Sequence, residues 1–238
     1  MNVLSISNPG FDYLTQNPGI ITNGLLCHYD FSNPNCYNGL GTTCTDLTTS
    51  GETGTLAAGT PWRYNPNTGS VFFNGSSNMT CTNVTLRNLS AITIAYWFNY
   101  TGGNGTQGVV CAGGSSGARN FQSTIKNGSS AQYGMEWYSV ATGEFFSSNI
   151  ATAQVTGWHY WTITVGGGAI NWYNDGALIN TTTSVPALGS TSGTQMLIGQ
   201  DFYNTYVNGY LNVFKIYNRV LTATEVAYNY TAGRWRFL

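Results

Sequence analysis

Two stretches of this chain combine aromatic rings with amide and carboxylate side chains densely enough to recognise a sugar. One is Gln200-Asp201-Phe202-Tyr203-Asn204-Thr205-Tyr206, and the other is Tyr133-Gly134-Met135-Glu136-Trp137-Tyr138. Rings cover the apolar faces of pyranoses, while Asn, Asp and Gln satisfy the hydroxyls. Asp201, Tyr203, Asn204, Tyr206 and Trp137 are the candidate carbohydrate contacts. Aromatic residues make up 14% of the chain, so most rings must fill a core, and Trp97, Trp161 and Trp172 are assigned to it.

Other chemistries find less support. Glycoside hydrolysis needs two carboxylates flanking the bond, ~5 Å apart for retention or ~6.5 to 9.5 Å for inversion. Glu136 and Glu144 can meet across a turn, but the intervening Thr142-Gly143 provides no acid/base logic, so a solvated pair is expected. His28 and His159 read as packed strand residues rather than members of a nucleophilic triad. No enzyme is expected. A calcium site wants several carboxylates at short spacing, and the chain offers only a weak set, Asp201 with Asn204 and nearby carbonyls. Five cysteines, Cys27, Cys36, Cys44, Cys81 and Cys111, include no C-x-x-C, and the two histidines lack zinc spacing. Cys36 and Cys44 bracket a Gly-rich loop and are either a disulfide that closes it or two partly buried thiols.

Composition narrows the partners. Charged residues are 7% of 238, against roughly a quarter in an average soluble domain. Solubility therefore rests on Asn, Thr, Ser and Gly. A net charge of -1 with scattered Lys and Arg excludes a phosphate-tracking groove, so nucleic acid is not an expected partner. No apolar run approaches the roughly 20 residues needed to cross a bilayer, and no membrane partner is expected. Residues 1–19 lack the basic start and apolar stretch of a signal peptide, so the expectation is synthesis in a cytosol without general export. The nine Asn-x-Ser/Thr sequons then read as chance in an Asn-rich chain.

These residues need a β scaffold to hold them. Residues 1–22, punctuated by Asn8-Pro9-Gly10 and Asn17-Pro18-Gly19, read as an arm, and 23–238 as one domain. Short strands are predicted at 25–31, 70–73, 79–84, 91–100, 107–112, 133–140, 158–165, 169–174, 196–198 and 211–217, a spacing typical of a β-sandwich. Gly166-Gly167-Gly168 and Asp175-Gly176 predict hairpin turns. Ile92, Ile94 and Tyr96 alternate with Thr93, Ala95 and Trp97, as expected of an inner strand buried on both faces. Thr222 with Glu225 three residues on is a capping box, the one good helix signal. Arg234 and Arg236 read as a tail lying over its own domain.

Read together, the segments resemble the concanavalin-A-like lectin and glucanase superfamily, in particular its laminin-G-like jelly-roll branch, common in virus and phage particle proteins. Residues 24–31 with Asn33-Pro34 and the loop 39–47 are similar to the family's opening strand and its Gly-Thr-Thr-Trp-x-Asp-Leu loop, with Cys44 standing at the Trp position. Ser70-Val71-Phe72-Phe73-Asn74-Gly75 is similar to a strand ending in Phe-Asp-Gly, and residues 157–164 to the Trp-His-x-Val-x-x-Thr strand, with the hairpin Tyr173-Asn174-Asp175-Gly176 after it. Gly209-Tyr210-Leu211, Phe214, Ile216-Tyr217-Asn218-Arg219, Leu221-Thr222 and Glu225-Val226 match best. The likeness spans 24–233 and implies an all-β jelly-roll β-sandwich of two antiparallel sheets with one short C-terminal helix. The superfamily's glucanases carry Glu-x-Asp-x-Glu on one strand, and this chain has no such motif.

Low charge, the arm and the missing leader make a virion structural, decoration or fibre protein the expected function. It would assemble in the host cytoplasm as a homo-oligomer with neighbouring virion subunits. The alternative is a lectin or adhesin at the cell surface whose partners are glycans, and a glycoside hydrolase is third. Fold alone does not choose among them.

Overall fold

The strand with the clearest alternation lies at the centre of the fold. The computed structural model describes residues 19–50, 52–57, 63–65, 69–82, 86, 89–103, 105–113, 119–126, 132–139, 144–151, 156–189 and 195–237. In chain order the strands begin with β1 (Leu25–Asp30), β2 (Thr43–Thr45), β3 (Thr53–Leu56), β4 (Arg63–Asn65), β5 (Ser70–Asn74), β6 (Met79–Cys81), β7 (Ile92–Tyr100) and β8 (Thr106–Gly113). They continue as β9 (Arg119–Lys126), β10 (Gln132–Ser139), β11 (Glu144–Ala151), β12 (Gly157–Gly166), β13 (Ala169–Asn174), β14 (Ala177–Thr183), β15 (Gln195–Ile198) and β16 (Asn208–Tyr217). The helix α1 (Ala223–Gly233) and a 3-10 turn (Arg234–Arg236) end the chain.

Two antiparallel sheets result. The first runs β14-β13-β12-β7-β16-β5-β4, with β1 pairing the second half of β16, and the other runs β11-β10-β9-β8-β15-β6-β3-β2. Side chains alternate along each strand, so Ile92, Ile94, Tyr96 and Phe98 of β7 share one buried core with Tyr133, Met135 and Trp137 of β10 and Phe121 and Ile125 of β9. Tyr133 stacks on Trp161 across that core, with ring centroids 3.8 Å apart. The all-β sandwich with one C-terminal helix is as expected.

The hairpins follow the turn chemistry of the sequence. Gly166 pairs with Ala169, leaving Gly167 and Gly168 at positive φ between them, and Asn174 pairs with Ala177 around Asp175 and Gly176, also both at positive φ. These are the conformations that match hairpin twist. Thr222 and Glu225 form the predicted capping box. Glu225 also takes two hydrogen bonds from Arg219, at 2.6 and 2.8 Å, and these hold its carboxyl at about 2.

The outer face of β7 is buried as well. Ala95, Trp97, Tyr160 and Val213 form a second, smaller core beneath Trp158, Tyr230 and Phe237. Arg236 secures that cover. Its guanidinium donates to both oxygens of Asp30 at 2.8 Å, to Ser32 Oγ at 2.7 Å and to Asn212 Oδ1 at 3.2 Å. Burial opposes the Asp30 charge, but the Arg236 hydrogen bonds outweigh it and hold the carboxyl below its usual range. Lys215 lies buried beside them, pushed down to about 8 by burial and by Arg236, against the pull of Asp30. Burial and Lys215 also push His28 down to about 3.

One open alternative closes and one expectation needs correction. Cys36 and Cys44 are free thiols, buried with Cys27 and Cys81 in the main core, and burial pushes Cys36 up to about 12. Cys44 faces inward from β2, where it fills apolar space rather than bridging the loop. The sequence reading also omits the short strands β2, β3 and β4, and it omits β9 and β11. Their inward faces include Ser123 and Ser148, which break the apolar alternation, and Ser123 Oγ instead faces Tyr96 Oη at 3.4 Å. Residues 1–18 of the expected arm lie outside the described residues. Ile21 packs on Tyr173, Tyr217, Leu221 and Val226, and its N–H donates to Asn229 Oδ1 at 3.0 Å.

Two measurements test this packing. Arg236→Ala leaves Asp30 buried without its cation and is expected to cost about 2 to 3 kcal/mol in denaturant unfolding. The second concerns Asp46, which accepts the N–H groups of His28 and Thr48 and the hydroxyls of Thr48 and Ser50. Burial and the neighbouring Asp46 push Glu52 up to about 7. The folded chain therefore holds this proton more tightly than the unfolded one, whose carboxyl titrates near ~4.3. The associated stability is complete below that value and is lost as pH rises through about 7. Glu52→Gln should match the parent melting temperature near pH 4 and exceed it at pH 8; parallel curves across that range would refute the assignment.

Candidate functional site

The connection between β15 and β16 is a small hairpin laid against β8. Gln200 pairs with Tyr206, and Tyr206 also bridges to Gly108 of β8. Asp201 N–H donates to Thr205 O at 3.0 Å, and Gly108 N–H donates to the same oxygen at 3.2 Å. Only glycine fits at 108, because a Cβ there would stand 1.9 Å from Asp201 N. A bulge in β8 between Gly108 and Val110 accompanies this close approach.

Asp201 organises the turn from within. It is 1% exposed, and its Oδ1 accepts the N–H groups of Tyr203 at 2.9 Å and Thr205 at 2.8 Å, while Oδ2 accepts the Thr205 hydroxyl. Asn204, at φ 60°, accepts a hydrogen bond from Gln200 Nε2 at 2.7 Å, and Gln200 Oε1 accepts one from Asn78 Nδ2. The loop is thus fixed before any ligand arrives. It presents Tyr203, 61% exposed, with exposed Asn204 beside it and half-buried Phe202 and Tyr206.

The same hydrogen bonds revise the calcium reading. Both Asp201 oxygens and Asn204 Oδ1 accept from donors of the loop, so they do not converge on a cation. Among the described residues no group of three or more His, Cys, Asp or Glu is gathered as metal ligands.

The loop is tied to the outer face of the second sheet. Phe202 N–H donates to Gln122 Oε1 at 3.2 Å, and Gln122 Nε2 donates to Glu136 Oε2 at 2.9 Å. Gln122 and Glu136 are opposite each other in the β9–β10 register. Sequence reasoning missed both as members of this network; the signal was present for Glu136, but Ser123 hid β9 and with it Gln122. With Phe121, Ser123 and Ile125 inward, Gln122 must face out, and with Tyr133, Met135 and Trp137 inward, so must Glu136.

Alternation also removes Trp137 from the candidate contacts. Its side chain is fully buried, 4.8 Å from the Phe146 ring, and its indole N–H donates to Pro186 O at 3.2 Å. Trp97, Trp161 and Trp172 are core residues, as expected.

Groups with catalytic chemistry are separated or occupied. Glu136 pairs with Ser147 and Glu144 with Ser139, so the two glutamates occupy different rungs, three positions apart. His159 Nδ1 lies 2.7 Å from Asp175 Oδ2, Asp175 Oδ1 accepts the Tyr160 N–H at 2.8 Å, and His159 Nε2 is 3.3 Å from Thr156 O. That His–Asp pair braces the β13–β14 turn. At the side of the sandwich, a cleft of about 250 Å³ between β11 and β14 is lined by Asn149, Ile150, Ala151, Ile179, Asn180 and Thr182.

Known proteins resemble this architecture. The binding domain of botulinum neurotoxin DC, solved in complex with SialylT, superposes with a TM-score of 0.68 at 12% identity, covering 88% of this chain and 51% of that one. The same domain in complex with rat synaptotagmin II gives 0.67 at 12% identity, with the same coverage. The botulinum neurotoxin type G receptor-binding domain gives 0.62 at 16%, again over 88% and 51%. The chain spans about half the length of these domains, and at such identities the likeness is one of fold. No curated protein matches the sequence. The family model described as the concanavalin A-like lectin/glucanases superfamily matches residues 73–227, close to two thirds of the chain. The chain belongs to the concanavalin A-like lectin/glucanase superfamily, as its interleaved sheets and its C-terminal strand and capped helix lead one to expect.

Proposed function

We propose that this chain is a non-enzymatic carbohydrate-binding module whose glycan lies on the loop between β15 and β16. One observation carries the reading: Tyr203 is 61% exposed on a loop whose backbone is fixed by Asp201. Most other aromatic rings of the described residues are buried or half-buried. A loop whose backbone is already fixed loses little conformational freedom when a pyranose stacks on its ring, and Asn204 supplies amide groups at the same edge. The superfamily membership supports this reading, as do structural neighbours that are receptor-binding domains.

A second reading, assembly with copies of itself, is favoured by β14. This edge strand, Ala-Leu-Ile-Asn-Thr-Thr-Thr, is exposed along nearly its whole length, with Leu178 53% and Ile179 43% exposed. Edges of this kind are ordinarily blunted by Lys, Pro or inward charges, and β14 has none. Two copies meeting antiparallel about a two-fold axis would pair it without placing like charges together. The virion decoration or fibre role, and residence in a particle, belong to this reading.

Tyr203→Ala is expected to weaken glycan-array binding about tenfold, the scale of one stacked ring, while the melting temperature stays that of the parent. Gly108→Ala, which pushes on Asp201, should weaken it too. A folded protein with no glycan binding, or with binding indifferent to Tyr203, would overturn the lectin reading. For assembly, light scattering should detect a dimer that Ile179→Lys converts to monomer; a monomeric parent at all concentrations would end that reading.

A further inference from the structure

We infer that the first sheet and its C-terminal cover enclose a binding site for a small inorganic anion of the halide class, held by Lys215 with the hydroxyls of Tyr160 and Thr162. Phe214 and Ile216 point into the main core, so Lys215 between them faces the other way, toward the C-terminal cover. Its cross-strand neighbour on β7 is Ala95, and the neighbour of Ala95 on β12 is Thr162. In that rung a methyl group separates the lysine from the threonine. The long lysine stem places Nζ over the Tyr160 ring, 5.7 Å from the centroid.

Donors on this face lack acceptors. Tyr160 Oη and Thr162 Oγ1 are buried, near enough to influence one another, and neither makes a hydrogen bond. Trp97 Nε1, from a ring 5.3 Å from that of Tyr160, and Arg236 Nε are buried without a partner as well. Among the described residues the Lys215 ammonium, 3% exposed as a residue, donates to no acceptor. Buried polar groups of folded proteins are almost always paired, and every one of these can donate.

The charges leave the same vacancy. Arg236 and Lys215 are two cations facing the carboxylate of Asp30, both of whose oxygens accept from Arg236. His28, opposite Lys215 on β1, is pushed down to about 3 by burial and by Lys215, so it is neutral. Burial lowers Lys215 to about 8, which leaves its ammonium charged at neutral pH. One positive charge is therefore in excess where solvent is scarce, and buried charges ordinarily have a counter-charge. Water would satisfy the donors without neutralising the lysine, whereas a halide does both. A phosphate brings several oxygens that would each need a donor, so a compact ion suits the gap over Ala95.

The test melts the parent and Lys215→Met, which keeps the stem and removes the charge, at neutral pH in sodium chloride and in sodium gluconate of equal ionic strength. Between about 10 and about 300 mM salt, chloride should raise the parent's melting temperature by about 3 °C more than gluconate does, since the ion binds the folded state alone. That difference should vanish in Lys215→Met. A crystal of the parent soaked in bromide should show an anomalous peak within hydrogen-bonding distance of Lys215 Nζ, a readout that stands even if the variant folds poorly. No bromide at Lys215 would overturn the inference. So would bromide there without chloride-specific stabilisation, which means an adventitious ion only, or a chloride effect retained in full by Lys215→Met.

Discussion

The fold rests on burying one of every two side chains between its sheets. Ile92, Ile94, Tyr96 and Phe98 of β7 point into a core shared with Tyr133, Met135 and Trp137 of β10, and a shift of one residue in either strand would turn every one of them out of that core. Register is therefore fixed at the centre and propagates outward through each neighbouring strand. The outer faces become available for other work as a consequence.

The two outer faces are used differently. That of the first sheet is closed over by the chain itself. Trp97 packs against Tyr230 and Phe237, and Arg236 spans back to Asp30 across 206 residues. A sheet face covered in this way by its own chain, with Lys215 buried in it, is structural. The second sheet has the β15–β16 loop upon it, resting where Gly108 lacks a side chain. Its outward row of Gln122 and Glu136 holds the loop from below, and Tyr203 is 61% exposed. The first sheet's outer face is closed by the chain itself, and the second sheet's outer face has the exposed loop laid on it.

Low charge makes this division physically consistent. With 7% charged residues, long-range steering is weak, and a partner must be recognised at short range by shape, stacking and hydrogen bonds. Asn, Thr, Ser and Tyr are suited to that, and sugars are ligands that respond to it. The same scarcity leaves β14 without the charges that keep sheet edges apart.

Much of this was legible in the sequence. The strands, the Gly167-Gly168 and Asp175-Gly176 turns and the Thr222–Glu225 cap depend on period-two alternation, positive φ and hydrogen bonds three residues apart, all of which are local. The inward direction of Trp137 was legible too, had the alternation of Tyr133 and Met135 been carried through. Strands β9 and β11 were obscured because serines occupy inward positions and find partners such as Tyr96 on the opposite sheet. What only the tertiary structure decided is which distant groups meet: Phe202 with Gln122, 80 residues away, Arg236 with Asp30, and thiols Cys36 and Cys44 in the core rather than across a loop. Such meetings depend on sheet order and register, which are set by the burial of all strands together and by no single segment.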